Sequence, residues 1–570
     1  MSWTRSLLAV LLLSVPAAAE TVPPLILPEL AEPAMASPPP LRLAESQAVQ
    51  AGATLRRAAE GALDRMDAMT LRNLSGALPV QNGFARPLPS PVRLRLAAAV
   101  SSANARVWGT RVRVAGAWRL RLHLEKVSLP AGTRLWVWGA GEEPRPFGLE
   151  LLGPDGDLWT PSVSGEDIFL EAALPTGEAA SRLEIREVGE LFRLGSLTPV
   201  FEPLGGCIQD ASCIGAGTFD AIAAARSAVA HLEFEDGGDF FICSGGLLND
   251  SQSSHTPYLL TANHCFSNQA SASSLEAFWD FKTSSCNGNA PNPSSLPRSN
   301  GATLLATGAS SDFTFVRLSS VPAGRSFLGW TTDALPNGTV LHRVSHPAPD
   351  FDALPQSYSR TIVSTSTDTC SGAPRPRYLY ALPSLGGTFG GSSGSPVMIQ
   401  GGLVVGQLNG GCGDDPEDGC AAGNSELDGA FASTFPSIAQ FLGTVPAGPC
   451  TPNATTLCID DQPGDRRFKV QVAFQSPQLS GNGKAVPLSS LGVNSGGLFW
   501  FFGSTNPELL VKVLNGCGLN NRYWVFWSAG TDAGLSLTVT DTVRGSSKSY
   551  TNNQGTAAKP VQDTNALPCG

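Results

Sequence analysis

A chain of 570 residues with a formal net charge of −10 and no cluster of Lys and Arg is not built to bind nucleic acid through its phosphates. Charged residues make up only 15% of it, while Gly (61) and Pro (44) are abundant, a mixture that favours turn-rich β-domains over helical bundles. At roughly 100 to 200 residues per domain, the length allows about three or four domains.

Arg5 precedes the apolar run Leu7–Val15, which is too short to cross a bilayer, and Ala17–Ala19 offers small residues for cleavage. Residues 1–19 therefore read as a secretory signal peptide. No later stretch reaches the roughly 18 consecutive apolar residues of a spanning helix, so no membrane anchor is expected. Thr21–Pro40 is Pro-rich and predicts an extended linker. Leu55, Ala59, Ala62, Met66 and Met69 recur at helical spacing and predict one amphipathic helix within Ala48–Met69. The period then changes. Val92–Val100, Trp118–Val127, Thr133–Trp138, Asp167–Ala173 and Leu183–Val188 are short runs between Gly/Pro turns, which predict a β-sandwich over about 90–190, with His123 on a strand face.

All twelve cysteines lie between Cys207 and Cys569, and no CxxC pair occurs. An even number in an exported chain points to disulfides more than to thiols or metal ligands. A front without staples followed by a stapled back reads as a pro-segment over 20–201, an intramolecular inhibitor or folding aid. A permanent module that binds something else is the other reading. Removal is expected between Glu190 and Gly206, with Arg193 as one cut.

From Cys207 to about Gly443 short strands alternate with glycine turns: His231–Phe234, Phe240–Leu248, Tyr258–Thr261, Leu275–Phe281, Phe313–Leu318, Thr339–Val344, Leu379–Leu382 and a hairpin around Gly401-Gly402. Parallel α/β architecture would need crossover helices that are missing, so an antiparallel barrel or pair of barrels is expected. After a linker at Thr444–Pro449, the runs Leu498–Phe502, Leu509–Leu514, Tyr523–Trp527 and Leu535–Thr540 predict a C-terminal β-domain over 450–570. Its Cys450, Cys458, Cys517 and Cys569 have no assigned pairing. Phe499, Trp500, Trp524 and Trp527 are read as sandwich core in preference to a sugar-stacking platform.

Three short stretches could carry chemistry. Gly390-Gly391-Ser392-Ser393-Gly394-Ser395-Pro396 describes a loop tip that exposes a hydroxyl, or an ordinary turn. Tyr258-Leu259-Leu260-Thr261 ends in Ala262-Asn263-His264-Cys265, where an imidazole at a rigid strand end suits a general base or is simply structural. Asp312 opens the apolar strand that follows Ser311, as a turn residue or as a carboxylate that orients an imidazole. Gly390–Gly394 also satisfies the Gly-x-Ser-x-Gly elbow of α/β-hydrolases with Ser392 as nucleophile. That fold needs a His after the Ser, and none follows His346. His342 and His346 share a strand face without a third ligand or an HExxH motif and are read as structural, so no metal and no cofactor is expected.

The order His264, Asp312, Ser393 and the flanks Thr261-Ala262-Asn263-His264-Cys265 and Gly391-Ser392-Ser393-Gly394-Ser395-Pro396 resemble the trypsin-like serine proteases. Over residues 202–443 the resemblance extends to bacterial lysyl endopeptidases, through Gly206-Cys207-Ile208, Cys213, Cys243-Ser244-Gly245-Gly246-Leu247, Ser311-Asp312-Phe313-Thr314 and Gly406-Gln407-Leu408. It implies a mainly β, chymotrypsin-like double barrel in which His264 is the base, Asp312 orients it, Ser393 is the nucleophile, and the N–H groups of Gly391 and Ser393 form the oxyanion hole. Ser392 and Ser395 would not react. It also implies the pairs Cys243–Cys265, Cys213–Cys286 and Cys207–Cys420, leaving Cys370 and Cys412 for each other. The C-terminal domain resembles an accessory module of secreted bacterial proteases.

Two positions depart from the family pattern. Ser392 stands where most trypsin-like enzymes place the Asp that receives a new N-terminus, so simple removal of the pro-segment is the expected activation. Gly387 stands where trypsin keeps its Lys/Arg-binding carboxylate; Glu426, with Asp428 as rival, falls where lysyl endopeptidases place theirs, and Asn409 where they have an aromatic-stacked His. The implied function is a secreted bacterial serine endopeptidase, exported through a Sec-type signal, that acts as a monomer on proteins and peptides through an acyl-enzyme, with cleavage after Lys or Arg. The rival is a non-catalytic binding or adhesion protein on a protease-like scaffold.

Overall fold

The computed structural model describes residues 20–26, 40–45, 53–55, 60–74, 78–102, 105–176, 181–193, 207–347, 355–413, 421, 423–443, 450–520, 522–543 and 547–569. The expected signal peptide, most of the Pro-rich linker, the stretch 194–206, Cys420 and the 444–449 linker lie outside these residues. The chain divides into two compact units, Met1–Leu247 with Leu259–Phe435 and Leu248–Tyr258 with Pro436–Gly570.

In the front of the first unit, the helix runs over Glu60–Leu74, later than the Ala48–Met69 window. The reason lies in Ala53–Leu55, which pairs in parallel with Ala105–Val114 as a short strand and so cannot belong to a helix. Two sheets face each other here. One has the order Ala53–Leu55, Ala105–Val114, Asp167–Pro175, Arg134–Gly139, Arg145–Phe147. The other contains Arg119–Ser128, Arg182–Leu191 and Val80–Arg93. Alternation along Arg119–Leu124 shows how they meet. Leu120, Leu122 and Leu124 point into the core shared with Val112, Ile168 and Leu170, as the two-residue period of a strand requires.

Arg119 and Arg121 point the opposite way, and both are buried as well. What covers them is the protease-like region, because the second sheet does not stop at the sandwich. Val80–Arg93 is 14 residues long and pairs with Arg182–Leu191, while its leading half pairs with Asp239–Leu248 in the register Val80↔Ile242, Gln81↔Phe241, Gly83↔Phe240 and Phe84↔Asp239. The front and the region after Cys207 thus share one 12-stranded sheet. Across this seam Arg119 Nη1 and Nη2 donate to Glu233 Oε1 and Oε2 at 2.8 and 2.9 Å and Arg121 Nη2 donates to the Ser274 carbonyl at 2.8 Å, while Arg121 Nε donates to the Thr160 carbonyl within the front at 2.8 Å. Burial alone would raise the Glu233 carboxyl; Arg119 and His231 outweigh it and hold the group at about 2.

Beyond the seam, the sheet curls through Arg298–Asn300, Glu276–Phe278, Val229–Asp236, Asp239–Leu248, Tyr258–Thr261, Phe313–Leu318 and Ala302–Gly308, and only Gly301 separates its two ends in sequence. A second sheet closes outright: Leu403–Cys412 pairs with both Pro396–Ile399 and Ser425–Ala430, completing a ring through Val340–Ser345, Ser357–Val363 and Tyr378–Leu385. The fold is mainly β, with two barrel-forming sheets, as the spacing of short strands predicts. Residues 20–26 do not stay in a free linker, since Thr21–Val22 pairs with Trp330 and Thr331 at the edge of the second barrel. Disulfides join Cys213 to Cys286, Cys243 to Cys265 and Cys370 to Cys412. The expected partner of Cys207, Cys420, is outside the described residues.

The second unit packs two five-stranded antiparallel sheets around one core and is tied by Cys450–Cys458 and Cys517–Cys569. Phe499 and Trp527 belong to that core. Trp500 and Trp524 do not; strand alternation turns them to the outer face, where they are half-buried.

The seam makes a measurable demand on Arg119. Arg119→Ala leaves Glu233 buried without its guanidinium, and unfolding of the full chain in urea is expected to show a loss of about 3–5 kcal/mol.

Candidate active site

The strand Tyr258–Thr261 delivers His264 to the edge of the first barrel, where the Cys243–Cys265 disulfide pins the next residue. Asp312 sits one residue before the strand Phe313–Leu318, with its backbone in the left-handed region at φ 50°, a conformation that Asp tolerates better than most residues. Its carboxylate is buried and fully engaged. Oδ1 accepts the backbone N–H of His264 at 2.9 Å, and Oδ2 lies 2.8 Å from His264 Nδ1 and accepts from Asn409 Nδ2 at 2.7 Å. The Asp312 carbonyl accepts from Asn263 N at 3.1 Å and from Gln407 Nε2 at 3.1 Å. With Nδ1 facing the carboxylate, Nε2 is the ring nitrogen left outside the pair. Nε2 has no hydrogen-bond partner, although it is buried.

The serine loop is held from below by Ser244. Ser244 N donates to Ser393 O at 2.8 Å, and Ser244 Oγ donates to Gly391 O at 2.9 Å. Gly394 must be glycine: at φ 78° a Cβ there would come within 2.2 Å of Thr261 Oγ1 and 2.7 Å of Ala262 N. This close approach sets the serine loop against the end of the strand that carries His264.

The three serines now differ in their surroundings. Ser392 Oγ accepts from Ser345 Oγ at 3.0 Å, and Ser395 Oγ accepts from Arg343 Nη1 at 3.2 Å. Ser393 Oγ meets no partner among the described residues. The same holds for the N–H groups of Gly391 and Ser393, whereas the intervening Ser392 N–H turns back to Phe389 O at 2.9 Å. Two unengaged amides around a loop-held hydroxyl are what an oxyanion site needs, because donors already satisfied inside the protein cannot serve a developing charge.

Beside this loop lie the two candidate specificity acids. Glu426 and Asp428 lie on Ser425–Ala430, opposite Gly411 and Leu408 of Leu403–Cys412. Neither stands alone. Arg343, buried in the second barrel, reaches Asp428 Oδ1 at 2.6 Å and Glu426 Oε2 at 3.3 Å, and its Nη1 donates to the Ser395 carbonyl at 2.9 Å. Thr388 Oγ1 donates to Glu426 Oε1 at 3.3 Å. Burial raises both carboxyls despite Arg343, and it lowers Arg343 less than the two acids raise it. With both acids ionised, the cluster carries one surplus negative charge.

Arg343 was not singled out from the sequence. The available signal was an arginine within the strand Val340–Ser345, two residues from the core residue Leu341: a guanidinium on a barrel interior must find buried carboxylates. Asn409, the third candidate for contact with substrate, turns its amide to the acid of the His–Asp pair, donating from Nδ2 to Asp312 Oδ2. His342 and His346 are buried and bond Tyr358 Oη at 2.8 Å and the Pro355 carbonyl at 2.6 Å; burial lowers them to about 4 and about 3. Among the described residues no group of His, Cys, Asp and Glu could hold a metal ion.

Residues 201–424 match the family model of the lysyl endopeptidase C-terminal domain. A lysyl endopeptidase of Pseudomonas aeruginosa is 29% identical over 325 residues, which cover 55% of this chain and 68% of that protein. Secreted RxLR effector protein 73 of Plasmopara viticola is 28% identical over 194 residues, covering 33% of this chain and 46% of its own length. Among solved structures, the active form of the Rv3671c protease of M. tuberculosis has 16% identity and a TM-score of 0.29, with 43% of this chain and 95% of that one covered. A thermostable serine protease, AL20, from an extremophilic microorganism has 14% identity and a TM-score of 0.28, with 38% and 98% covered. Over its protease region the chain resembles the lysyl endopeptidases, a branch of the trypsin-like serine proteases.

Proposed function

We propose that the chain is a secreted serine endopeptidase that hydrolyses peptide bonds through an acyl-enzyme, with a preference for Lys or Arg before the scissile bond. The observation that carries this reading is the His264–Asp312 pair, with Nδ1 committed to the carboxylate and Nε2 unpartnered, set against a serine loop in which only Ser393 has a disengaged hydroxyl. Ser393 Oγ adds to the peptide carbonyl as His264 Nε2 takes its proton. The resulting oxyanion is received by the N–H groups of Gly391 and Ser393, and the imidazolium, stabilised by Asp312, returns the proton to the departing amine. Water then enters by the same route, losing a proton to His264 as it adds to the acyl carbonyl, and the imidazolium returns that proton to Ser393 Oγ as the acid is released.

Export is supported by the N-terminal signal pattern and by the five disulfides among the described residues. The basic preference rests on the surplus negative charge of the Glu426–Arg343–Asp428 cluster. Asp428 makes the closer contact with Arg343, and Glu426, held only by the two longer 3.3 Å contacts from Arg343 and Thr388, is the acid assigned here to meet a substrate cation.

A fluorophosphonate reagent is expected to label Ser393 in the mature enzyme. Ser393→Ala abolishes labelling, whereas Ser392→Ala and Ser395→Ala retain it; a label on Ser392, or none on the wild-type protein, refutes the assignment. In a peptide-library digest, Glu426→Gln is expected to reduce kcat/KM for Lys and Arg substrates by about 10-fold or more, the worth of roughly 1.4 kcal/mol of lost pairing. Since burial raises the Glu426 carboxyl, the basic preference of the wild-type enzyme fades on acidification at a pH above the ordinary glutamate value of 4.5. A wild-type preference for an uncharged residue overturns the specificity reading.

A further inference from the structure

Residues 20–25 reach the second barrel ahead of the rest of the front and form an outer strand on it. Thr21 and Val22 pair antiparallel with Thr331 and Trp330, and Val22 is only 3% exposed. Hydrogen bonds continue on both sides of this pair. Thr332 N donates to Glu20 O at 2.8 Å, Glu20 N donates to Thr332 Oγ1 at 2.7 Å, and Leu25 and Phe327 each donate from N–H to the other's carbonyl at 2.9 Å.

The barrel is shaped to receive this segment. A Cβ on Gly329 would stand 2.4 Å from Val22 O and 2.6 Å from Pro24 N, so the backbone of the segment lies where any other residue would place a side chain. Pro23 and Pro24 carry no N–H, which limits addition of a further strand to the segment. Gly329 and Trp330 pair in turn, in parallel, with Leu403 and Val404. They open the strand Leu403–Cys412, which supplies Gln407 and Asn409 to Asp312. The segment therefore closes the outer side of Gly329–Thr331, the strand next to the one that contacts the His–Asp pair.

The chain that follows the segment differs from the rest of the front in one chemical respect. From Glu20 to Leu41 it is rich in Pro and contains no Lys or Arg. Arg42 is the first basic residue, and others recur beyond it, among them Arg65, Arg72, Arg86 and Arg93.

We propose that Phe327–Thr332 is a strand-docking edge of the protease region, that Glu20–Leu25 is its ligand, and that this segment stays on the barrel when the front is cut away. Docking of this kind needs only backbone pairing and a place for alternate side chains, both of which the segment has. The consequence for maturation rests on the protease reading above. An enzyme that cuts after Lys or Arg divides the front at many points and finds no site between Glu20 and Leu41. The processed enzyme then holds two chains, the protease region and a peptide that ends at Arg42 and is bound through Glu20–Leu25.

The test uses the full-length Ser393→Ala chain, so that no cut depends on its own activity, with an enterokinase recognition sequence inserted between Ala36 and Ser37. Amide hydrogen exchange over Phe327–Thr332 is followed before and after cleavage, with the cut fraction read by intact mass. The amides of Phe327 and Thr332, which donate to the segment, are expected to keep their exchange rates within about twofold after the cut. In Val22→Asp, and separately in Gly329→Ala, exchange of these amides in the cut chain is expected to be at least about tenfold faster. Exchange in the cut parent as fast as in cut Val22→Asp overturns the proposal, and so does unchanged protection in both variants. None of these readings depends on Ser393. In the wild-type preparation the expected companion, detected by mass after denaturation, is a peptide running from Glu20 to Arg42. Its absence beside an edge that the segment still protects faults the protease reading and not the docking edge.

Discussion

A buried carboxylate must be surrounded by donors or it will not stay charged, and Asp312 imposes that constraint on the whole protease region. Its two oxygens and its carbonyl collect the backbone and ring of His264, the amides of Asn409 and Gln407, and the N–H of Asn263. These groups come from the end of Tyr258–Thr261 in the first barrel and from Leu403–Cys412 in the second. Neither barrel could shift without leaving the carboxylate short of partners. The serine loop is bound to the same point through Gly394, whose missing Cβ lets it approach Thr261 and Ala262. Imidazole, acid and hydroxyl therefore keep their relative places because one anion has to be satisfied.

A second use of buried charge joins the front to the protease region. The Arg119–Glu233 pair is almost fully excluded from water, and Glu276 is held nearby by Arg298 at 2.6 Å. Replacing such pairs by apolar residues is often neutral or stabilising, so their value here is in register more than in strength. A slip of the Val80–Arg93 strand by one residue would turn its side chains to the opposite face. With Arg119 fixed on Glu233, the sheet meets the protease region in one arrangement, and in that arrangement Val80 reaches Gly390. The front is consequently part of the sheet that builds the first barrel, and separation would uncover both a strand edge and two buried glutamates.

The cluster beside the serine loop follows the same logic with a different balance. Two carboxylates share one guanidinium, and burial works against both of them. Arg343 also donates to the carbonyl of Ser395, so the residue that fixes the acids fixes the backbone that follows the serine. The proposed specificity acids and the serine loop are joined through a single side chain.

Much of this site was legible in the sequence because its chemistry is carried by contiguous residues. Thr261-Ala262-Asn263-His264-Cys265 encodes a strand end beside a staple, Ser311-Asp312-Phe313 an acid opening a strand, and Gly390–Pro396 a loop tip, each within a handful of positions. Strand periods likewise announced a mainly β chain with short antiparallel strands. What the sequence could not hold is the choice of partner across long separations. Leu alternates with Arg119, Arg121 and His123 over Arg119–Leu124 and thereby declares a strand with one apolar face, but nothing local states that Glu233, 114 residues later, covers Arg119 on the other. Ala53–Leu55 fits a helical spacing until Ala105–Val114 pairs with it, and Asn409 and Arg343 acquire their roles only when the second barrel closes. Local pattern determined the elements and the candidate reactive groups, because propensity and side-chain period act over a few residues. Tertiary structure alone decided which buried charge meets which and placed Val80 beside Gly390, because those pairings are selected by the desolvation cost of every alternative.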